Sequence, residues 1–436
     1  MFIENRDMRF VRPRRGRINT VNNISINISS LRDIHQQKIQ SKEKMSYLDK
    51  LLQNTKVEWK TLGEVAEIIR GIRVTKRDLL PEGKYPVVSG GTGYMGYINK
   101  YNREKNTITI AQYGTAGYVK WQTEEFWAND VCYSVNPNTE FVLNRYLYFY
   151  LVNKQQYLYD ISNRTAVPYS IDRDKILKIK IPIPPLKIQQ EIVAILDKFT
   201  ELTAELTAEL TARQKQYEYY REELLGVNDK GLMNGVKAEW KTLGEVCEKI
   251  YSGGTPKTGK SEYWNDGNIP WMTSGEVNLG TVYQTEKFIT EEGLKNSSAK
   301  YVPKNSVVIA LAGQGKTRGM VARIRIDLTT NQSLASLTFD ESKIKSDYIF
   351  HFLKTQYENL RQISSGSGTR GGLNLQMISS YKIPVPPLSE QERIVGILDK
   401  FDTLVNSISE GLPKEIEMRK KQYEYYRNQL LKFHHS

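Results

Sequence analysis

Apolar residues recur at alternating spacings of four and three along two long stretches of the chain. In the first, Ile188, Ile192, Ile195, Phe199, Leu202 and Leu206 form a stripe that Tyr217, Tyr220 and Leu224 resume. In the second, Ile394, Leu398, Phe401, Val405, Ile408, Leu412, Ile416, Tyr423, Tyr426 and Leu430 do the same. This spacing predicts amphipathic helices with a coiled-coil seam. Pro184–Pro185 and Pro386–Pro387 block helix upstream and set where each begins. About 40 residues at 1.5 Å each make a rod of about 60 Å. Two matching rods in one chain most simply pair with each other, antiparallel; the alternative is that each packs only on its own domain. Gly411 and Pro413 predict a kink or break in the second rod.

Ahead of each rod the pattern is of mixed α/β type. In the first segment, residues 107–114 and 130–135 are strand-like, and residues 145–161 form an aromatic-rich helix. In the second, residues 306–313, 320–324 and 334–339 read as strands and residues 347–363 as a helix. Each helix is followed by a polar loop, residues 162–170 and 364–372, and then by an Ile-Pro-x-Pro-Pro-Leu exit.

These segments belong to an internal repeat, the strongest signal in the chain. Residues 57–65, VEWKTLGEV, recur as AEWKTLGEV at 238–246; residues 180–199, KIPIPPLKIQQEIVAILDKF, recur as KIPVPPLSEQERIVGILDKF at 382–401. Tyr217 in QKQYEYYR matches Tyr423 in KQYEYYR. The intervening residues 66–179 and 247–381 share little beyond similar length and a Gly/Tyr/Trp-rich texture. A duplicated frame around unlike contents suits two modules in equivalent positions that bind different things; plain drift would have spread over frame and contents alike. The expected organisation is a basic extension over 1–44, a first module over 45–185, a first helix over 186–226, a linker and second module over 227–387, and a second helix over 388–436. Residues 200–213 add a four-residue repeat, TELTAELTAELTAR, inside the first rod.

Composition narrows the chemistry. The 436 residues suit two or three domains, with a 39% hydrophobic and 25% charged content typical of a globular chain. No apolar run reaches the length of a membrane span, and no signal peptide is evident. Two cysteines, Cys132 and Cys247, lie in different halves, so no disulfide framework is expected and a reducing cytoplasmic location is the default. Four histidines give no cluster with zinc-ligand spacing. The net charge of +13 suggests a polyanionic partner, although residues 1–44, with ten Lys/Arg and four Asp/Glu, hold much of it.

The LGEV opening, the IPxPPLxxQxxIVxILDKF exit, the TAEL tract and the QKQYEYYR ending resemble the specificity subunits of Type I restriction-modification enzymes. The resemblance covers about residues 45–433 and omits residues 1–44. It implies a pseudo-two-fold α/β protein in which two target recognition domains are separated by two long antiparallel coiled-coil helices. It also implies that each domain reads one half of a split, asymmetric site on double-stranded DNA, with rod length setting the spacer. Two methyltransferase subunits would dock on the chain and restriction subunits would join them. AdoMet, ATP and magnesium would then belong to those partners, and the chain itself would be non-catalytic.

Apparent catalytic motifs fail on inspection. Gly313-Gln314-Gly315-Lys316-Thr317 evokes a phosphate loop, but Ala310 stands where that motif needs its first glycine. Asp327 with Glu341-Ser342-Lys343 evokes a nuclease pattern that a quarter-charged chain produces by accident. No Asn/Asp-Pro-Pro-aromatic tetrapeptide is present to hold a flipped base, and no Gly-rich AdoMet signature follows a strand. The alternatives kept open are a nuclease or methyltransferase fusion and a coiled-coil adaptor that binds only protein.

Candidate DNA contacts gather in loops at matched places. Arg70, Arg73, Lys76 and Arg77 leave the first LGEV block, and Lys257 and Lys260 follow the second. Tyr113 and Thr115 leave a strand in the first module, as Gln314, Lys316, Thr317 and Arg318 do in the second. Arg164 and Arg370 precede the two exits. Arg and Lys neutralise phosphates, while Gln and Arg read base edges; any one of them alone is equally an ordinary solvated charge. Trp121, Trp127, Trp264 and Trp271 read as core rather than stacking residues.

Overall fold

A computed structural model of the chain describes residues 51, 56–313, 317–364, 372–407 and 409–433. Residues 1–44, and the candidate contacts Gln314, Lys316 and Arg370, lie outside the described residues. The first module runs β1 (Glu58–Thr61), α1 (Leu62–Val65), β2 (Ala66–Arg70), β3 (Tyr85–Val88), β4 (Tyr94–Ile98), β5 (Thr107–Ala111), β6 (Val119–Gln122), β7 (Trp127–Ala128) and β8 (Cys132–Pro137). It continues with α2 (Asn144–Asn153), α3 (Gln155–Asp160), α4 (Arg173–Leu177) and β9 (Lys180–Ile183), and then the long helix α5 (Leu186–Leu225). A hairpin of β10 (Leu232–Met233) and β11 (Val236–Lys237) leads to β12 (Glu239–Thr242) and α6 (Leu243–Val246). The second module contains β13 (Lys249–Ser252), β14 (Ile269–Met272), β15 (Thr281–Val282), β16 (Lys287–Ile289), α7 (Glu291–Lys295), β17 (Tyr301–Val302), β18 (Val307–Ala310), β19 (Val321–Ile324), β20 (Leu328–Thr330) and β21 (Leu334–Thr338). It closes with α8 (Ser346–Thr355), α9 (Tyr357–Ile363), α10 (Leu375–Ser379) and β22 (Lys382–Val385), followed by α11 (Leu388–Asn406) and α12 (Gly411–Leu430).

The repeated sequence blocks pair with each other within each module. Glu58–Thr61 runs antiparallel to Lys180–Ile183, with Trp59 opposite Pro182, and Glu239–Thr242 pairs identically with Lys382–Val385, with Trp240 opposite Pro384. Proline is tolerated because each ladder has only two strands, leaving an edge that needs no N–H donor. Each clasp runs into a one-turn helix capped by a Thr–Glu box: the Thr61 amide donates to Glu64 at 2.5 Å and the Thr242 amide to Glu245 at 2.6 Å.

The clasp is locked to its module and to the following helix by two buried side chains. Gln189, fully buried on α5, accepts from the Leu143 amide at 2.8 Å and donates to the Phe141 and Pro184 carbonyls. Gln391 on α11 repeats this, accepting from Lys345 at 2.9 Å and donating to Pro386 at 2.8 Å. The Tyr146 hydroxyl donates to the Pro182 carbonyl, and the Tyr348 hydroxyl to the Pro384 carbonyl. The second proline in each PxPP run stops the strand, and the glutamine five residues on satisfies carbonyls that the proline-bounded turn would otherwise bury unpaired.

Between the clasps the modules share one architecture despite their unlike sequences. The first has an antiparallel sheet in the order β2-β8-β5-β6 and a mixed sheet β4-β3-β7; the second has β13-β21-β18-β19-β15 and β16-β14-β20-β17. Each small sheet contains one parallel pair, Val87 opposite Trp127 and Trp271 opposite Thr329. The strand patterns predicted at 107–114, 130–135, 306–313, 320–324 and 334–339 coincide with strands; the small sheets, built from short strands of mixed pattern, were not predicted. The helices predicted over 145–161 and 347–363 are each broken, at Lys154 and Gln356, where the backbone leaves helical angles. Trp127 and Trp271 are buried and donate to the Ile72 and Gly254 carbonyls, as expected of core tryptophans. Among the described residues no helix is long and apolar enough to cross a membrane.

The chain separates into two compact units, Met1–Ala194 with Tyr426–Ser436 and Ile195–Tyr425. The last turn of α12 therefore belongs to the first unit, where Arg427 donates to Asn153 at the end of α2. In the second unit the end of α5 packs on α11. Tyr217 and Tyr220 stack on Phe401, the Tyr217 hydroxyl donates to Asp402, and Asn234 ties the Leu224 carbonyl to Glu390. As α5 advances, its neighbours recede along α11, so this pair is antiparallel. In the first turns of α5 Ile188, Gln189, Ile192 and Leu196 are buried, and Ile195, Phe199, Leu202 and Leu206 of the predicted stripe are half-buried. Through the TAEL tract the threonine hydroxyls bond back one turn, Thr203 to Phe199, Thr207 to Thr203 and Thr211 to Thr207, and the helix stays continuous. The second rod is not one helix: it stops at Asn406 and restarts at Gly411, whose φ of 80° suits glycine.

The two modules differ at the positions through which the second meets α11. In the second, Arg323 on β19 reaches Asp347 on α8 at 3.0 Å and Asp399 on α11 at 2.6 Å, and lies 4.8 Å over the Phe350 ring. His351, fully buried, donates from Nε2 to Asp399 at 2.8 Å. In the first module the corresponding positions are Trp121, Arg145, Tyr148 and Phe149, and Arg145 sits 4.7–5.0 Å over all three rings. The second cluster is ionic, and the aligned residues of the first include a cation–aromatic stack.

Acid should loosen the Arg323 cluster. Burial pushes the His351 imidazole below its ordinary value of 6.5, outweighing the bond to Asp399, and its Nδ1 has no partner to accept a second N–H. Burial raises Asp399, but the bonds from His351 and Arg323 outweigh it and hold the carboxyl at about 2. Both depressed groups contribute stability above their unfolded values and lose it as pH falls, His351 below about 6.5 and Asp399 below about 4. Thermal unfolding of the full chain, followed by circular dichroism, should shift down in two stages over those ranges, and His351→Gln should abolish the first. Gln391→Ala, which strands a buried amide and a buried carbonyl, should cost about 2 kcal/mol or more in urea unfolding.

Candidate functional site

Sheet register brings the candidate loops of each module to one end of its larger sheet. Arg70 of β2 pairs with Tyr133 of β8, Tyr133 with Ile110 of β5, and Ile110 with Val119 of β6. The segments leaving Arg70 and Ala111 and entering Cys132 and Val119 thus emerge side by side. In the second module Ser252, Ala335, Ile309 and Val321 align in the same way.

The turn between β5 and β6 in the first module and that between β18 and β19 in the second are anchored by the same set of backbone bonds. The Gln112 amide donates to Val131, Gly117 to Ala111 and Tyr118 to Thr115; Leu311 donates to Ser333, Gly319 to Ala310 and Met320 to Thr317, all between 2.8 and 2.9 Å. Thr115 and Thr317 are therefore structural equivalents. The second turn is longer by three residues, and the additional length falls in the stretch that carries Gln314 and Lys316. Thr317 and Arg318 are half-buried at its root.

In the first module this turn is joined to two other loops. The Gly114 amide donates to the Tyr169 carbonyl, and Ile171 donates to Gln112, drawing the 162–170 loop against Tyr113. Arg164 on that loop lies 4.8 Å over Tyr159 and 4.9 Å over Tyr169. Both the amide and the hydroxyl of Thr115 donate to the Gly90 carbonyl, at 2.9 and 2.7 Å. Arg70 donates through Nε to the Asp130 carbonyl at 2.7 Å. Tyr113, Thr115, Arg164 and Arg70 thus occupy one end of the module.

The remaining basic candidates are placed differently. Lys76 and Arg77 are exposed on a single 3₁₀ turn capped by Thr75 and Asp78, and the chain then docks on β4 through the Leu80 amide to Tyr97. Asp78 is held below the ordinary carboxylate range by the Thr75 amide and hydroxyl. Arg73 is exposed beside them. In the second module Lys260 pairs with Glu262 at 3.3 Å and lies over Tyr263, while the Lys257 carbonyl accepts from the Trp264 indole. These lysines flank the small sheet rather than the strand-end turn. Among the described residues no group of His, Cys, Asp and Glu could hold a metal ion.

Sequence reasoning missed the Ser89–Gly93 loop after β3. Its Thr92 carbonyl accepts from Lys120, whose ammonium lies 4.4 Å over Tyr94, and its Gly90 carbonyl anchors Thr115. Its counterpart is Thr273–Glu276 after β14: Asn129 donates to Val88 in one module and Asn331 to Met272 in the other. The available signal was the Ser-Gly-Gly-Thr-Gly run directly after an apolar tetrad.

The structure defines a class: a duplicated modular binding protein, with two sheet scaffolds of one design that carry different loops. The family model described as "Type I restriction modification DNA specificity domain" matches twice, over residues 54–213 and 236–418. The chain is 38% identical over 415 residues to the EcoR124I/EcoR124II Type I restriction enzyme specificity subunit of Escherichia coli, covering 89% of this chain and 97% of that one. It is 35% identical over 408 residues to a putative Type I specificity subunit of Haemophilus influenzae, covering 90% and 100%. Its fold matches a crystal structure of the S subunit of a Type I restriction-modification system from M. genitalium, with a TM-score of 0.61 at 20% identity over 88% of this chain and 98% of that one. The chain belongs to the Type I restriction-modification DNA specificity subunit family, whose part is sequence recognition rather than catalysis.

The Gly90 carbonyl approach leaves no room for a side chain, since a Cβ there would overlap the Tyr113 carbonyl oxygen. Gly90→Ala should separate the 89–93 loop from the Thr115 turn. Hydrogen exchange should show lost protection at the Thr115 amide, while the clasp amides in Glu58–Thr61 keep theirs.

Proposed function

We propose that this chain reads a split, asymmetric site on double-stranded DNA, each module contacting one half through its strand-end loops. The observation that carries the reading is the identity of scaffold beside the difference of loops: matched backbone bonds hold Thr115 and Thr317, while neighbouring side chains and loop lengths differ. Two copies of one fold with unlike contact residues are suited to two unlike base sequences. Arg70, Arg73, Lys76, Arg77, Arg164, Lys257, Lys260, Lys316, Arg318 and Arg370 would supply phosphate neutralisation or guanine contacts. Tyr113, Thr115, Gln314 and Thr317 would reach base edges or sugars. Two methyltransferase subunits would dock on the chain and restriction subunits on those, in the cytoplasm. AdoMet, ATP and magnesium would serve the partners.

Helix α5 supports a spacer role for the TAEL tract. It is continuous through the tract, so each four-residue unit adds about 6 Å and about 40° of rotation beyond a full turn. A B-DNA base pair advances about 3.4 Å, so such steps are on the scale of one or two base pairs.

Co-expression with the neighbouring methyltransferase gene and methylome sequencing tests the reading, with a methylated bipartite motif expected. Exchanging residues 66–179 for another module should alter one half of it. Deleting one TAEL unit should shorten the spacer and leave both halves unchanged. Magnesium- or AdoMet-dependent activity from the isolated chain would favour a catalytic fusion, and the lack of salt-dependent DNA binding would favour a protein-only adaptor.

A further inference from the structure

We propose that Val167, at the tip of the 162–170 loop, determines specificity by contacting the 5-methyl group of one thymine in the major groove of the half-site read by the first module. This rests on the reading of the chain as a DNA-recognition subunit, and goes beyond it by assigning one residue to one chemical group.

Val167 is 95% exposed, the most exposed large apolar side chain among the described residues, and Pro168 beside it is exposed too. The segment beneath it is a loop closed by one antiparallel bridge. Asn163 and Ser170 exchange both backbone hydrogen bonds, at 2.7 and 3.2 Å. The Asn163 side-chain oxygen accepts from the Thr165 amide and hydroxyl and from the Ala166 amide. The Ser162 hydroxyl donates to the Leu158 carbonyl, and Lys175 holds the Ile161 carbonyl. Arg164 lies near both Tyr159 and Tyr169 on the flank of the loop. These local restraints hold an apolar tip, Val167 with Pro168, in water beside the loops proposed to contact DNA.

The loop is continuous with the candidate contact surface. Its Tyr169 carbonyl accepts from Gly114, between Tyr113 and Thr115, and Arg164 places a positive charge on its flank. A narrow loop closed in this way fits the major groove, which at about 12 Å wide admits even a two-stranded ribbon. The only apolar group a base pair presents there is the thymine methyl, so a short, β-branched, rigidly held side chain has one natural target. Because the loop is ordered in advance, binding carries little further cost of ordering.

The test uses the full chain assembled with its methyltransferase, after the bipartite motif and the first module's half have been established by the exchange of residues 66–179. Duplexes in which each thymine of that half is singly replaced by deoxyuridine, which lacks only the methyl, are titrated against wild type and Val167→Ala. At one position the replacement should weaken wild-type binding by about three- to fivefold, as burial of a single methyl allows. Val167→Ala should bind the thymine duplex more weakly by a similar factor and not distinguish it from uracil there, while responses in the other half stay as in wild type. The exposed position leaves folding unaffected, which an unchanged melting temperature would verify. The proposal is overturned if the half contains no thymine, if wild type ignores every replacement, or if Val167→Ala keeps the wild-type response. A change in DNA bending alone would instead mark a wedge between base steps, and would also overturn it. Failure to find any bipartite motif would refute the DNA-recognition reading itself; a motif with an inert Val167 would refute only this assignment.

Discussion

The architecture depends on a buried amide. Gln189 and Gln391 each accept a backbone N–H at the start of a module helix and donate to the carbonyl of a proline that ends a clasp strand. This one side chain fixes three things at once: where the strand stops, where the long helix starts, and how both sit on the module. An apolar residue could fill the space but would leave an amide and a carbonyl buried without partners, so the chemistry demands glutamine or a close mimic. The clasp exists only when chain segments some 120 to 145 residues apart meet, so the glutamine closes the longest loop in each module.

Everything inside that closure is free to vary provided the sheets survive. The two modules keep the register of the larger sheet and the bonds of the β5–β6 and β18–β19 turns, while replacing nearly every exposed side chain. The residues aligned with the Arg323 cluster vary more than expected of a shared frame. Arg145 lies over three aromatic rings in the first module, where the aligned residues of the second set Arg323 among three carboxylates. A buried imidazole paired with a carboxylate makes the second module sensitive to acid.

The long helices combine sequence regularity with structural asymmetry. Threonine hydroxyls bonding back along the TAEL tract satisfy their own polarity within the helix, so a unit can be repeated without creating an unpaired group. The second rod has Gly411 in place of such continuity, and its helix restarts with a left-handed residue.

The sequence alone determined the duplicated frame, the two rods with the start of each and the break in the second, and the principal strands, because these follow from local patterns: repeats, proline and glycine chemistry, and spacings of two and of three and four. It also pointed to Tyr113, Thr115 and Arg164, which do share one end of the first module, since all lie in polar turns after regular elements. Only the tertiary structure decided that the two ends of each frame pair as a clasp, and that Lys76, Arg77, Lys257 and Lys260 flank the smaller sheets. The Ser89–Gly93 loop and the exposed Val167 tip also emerged only there. The physical reason is common to all of these. Each depends on pairing between residues far apart in the chain, and a two-residue strand or a loop tip carries no periodicity from which its partner could be read.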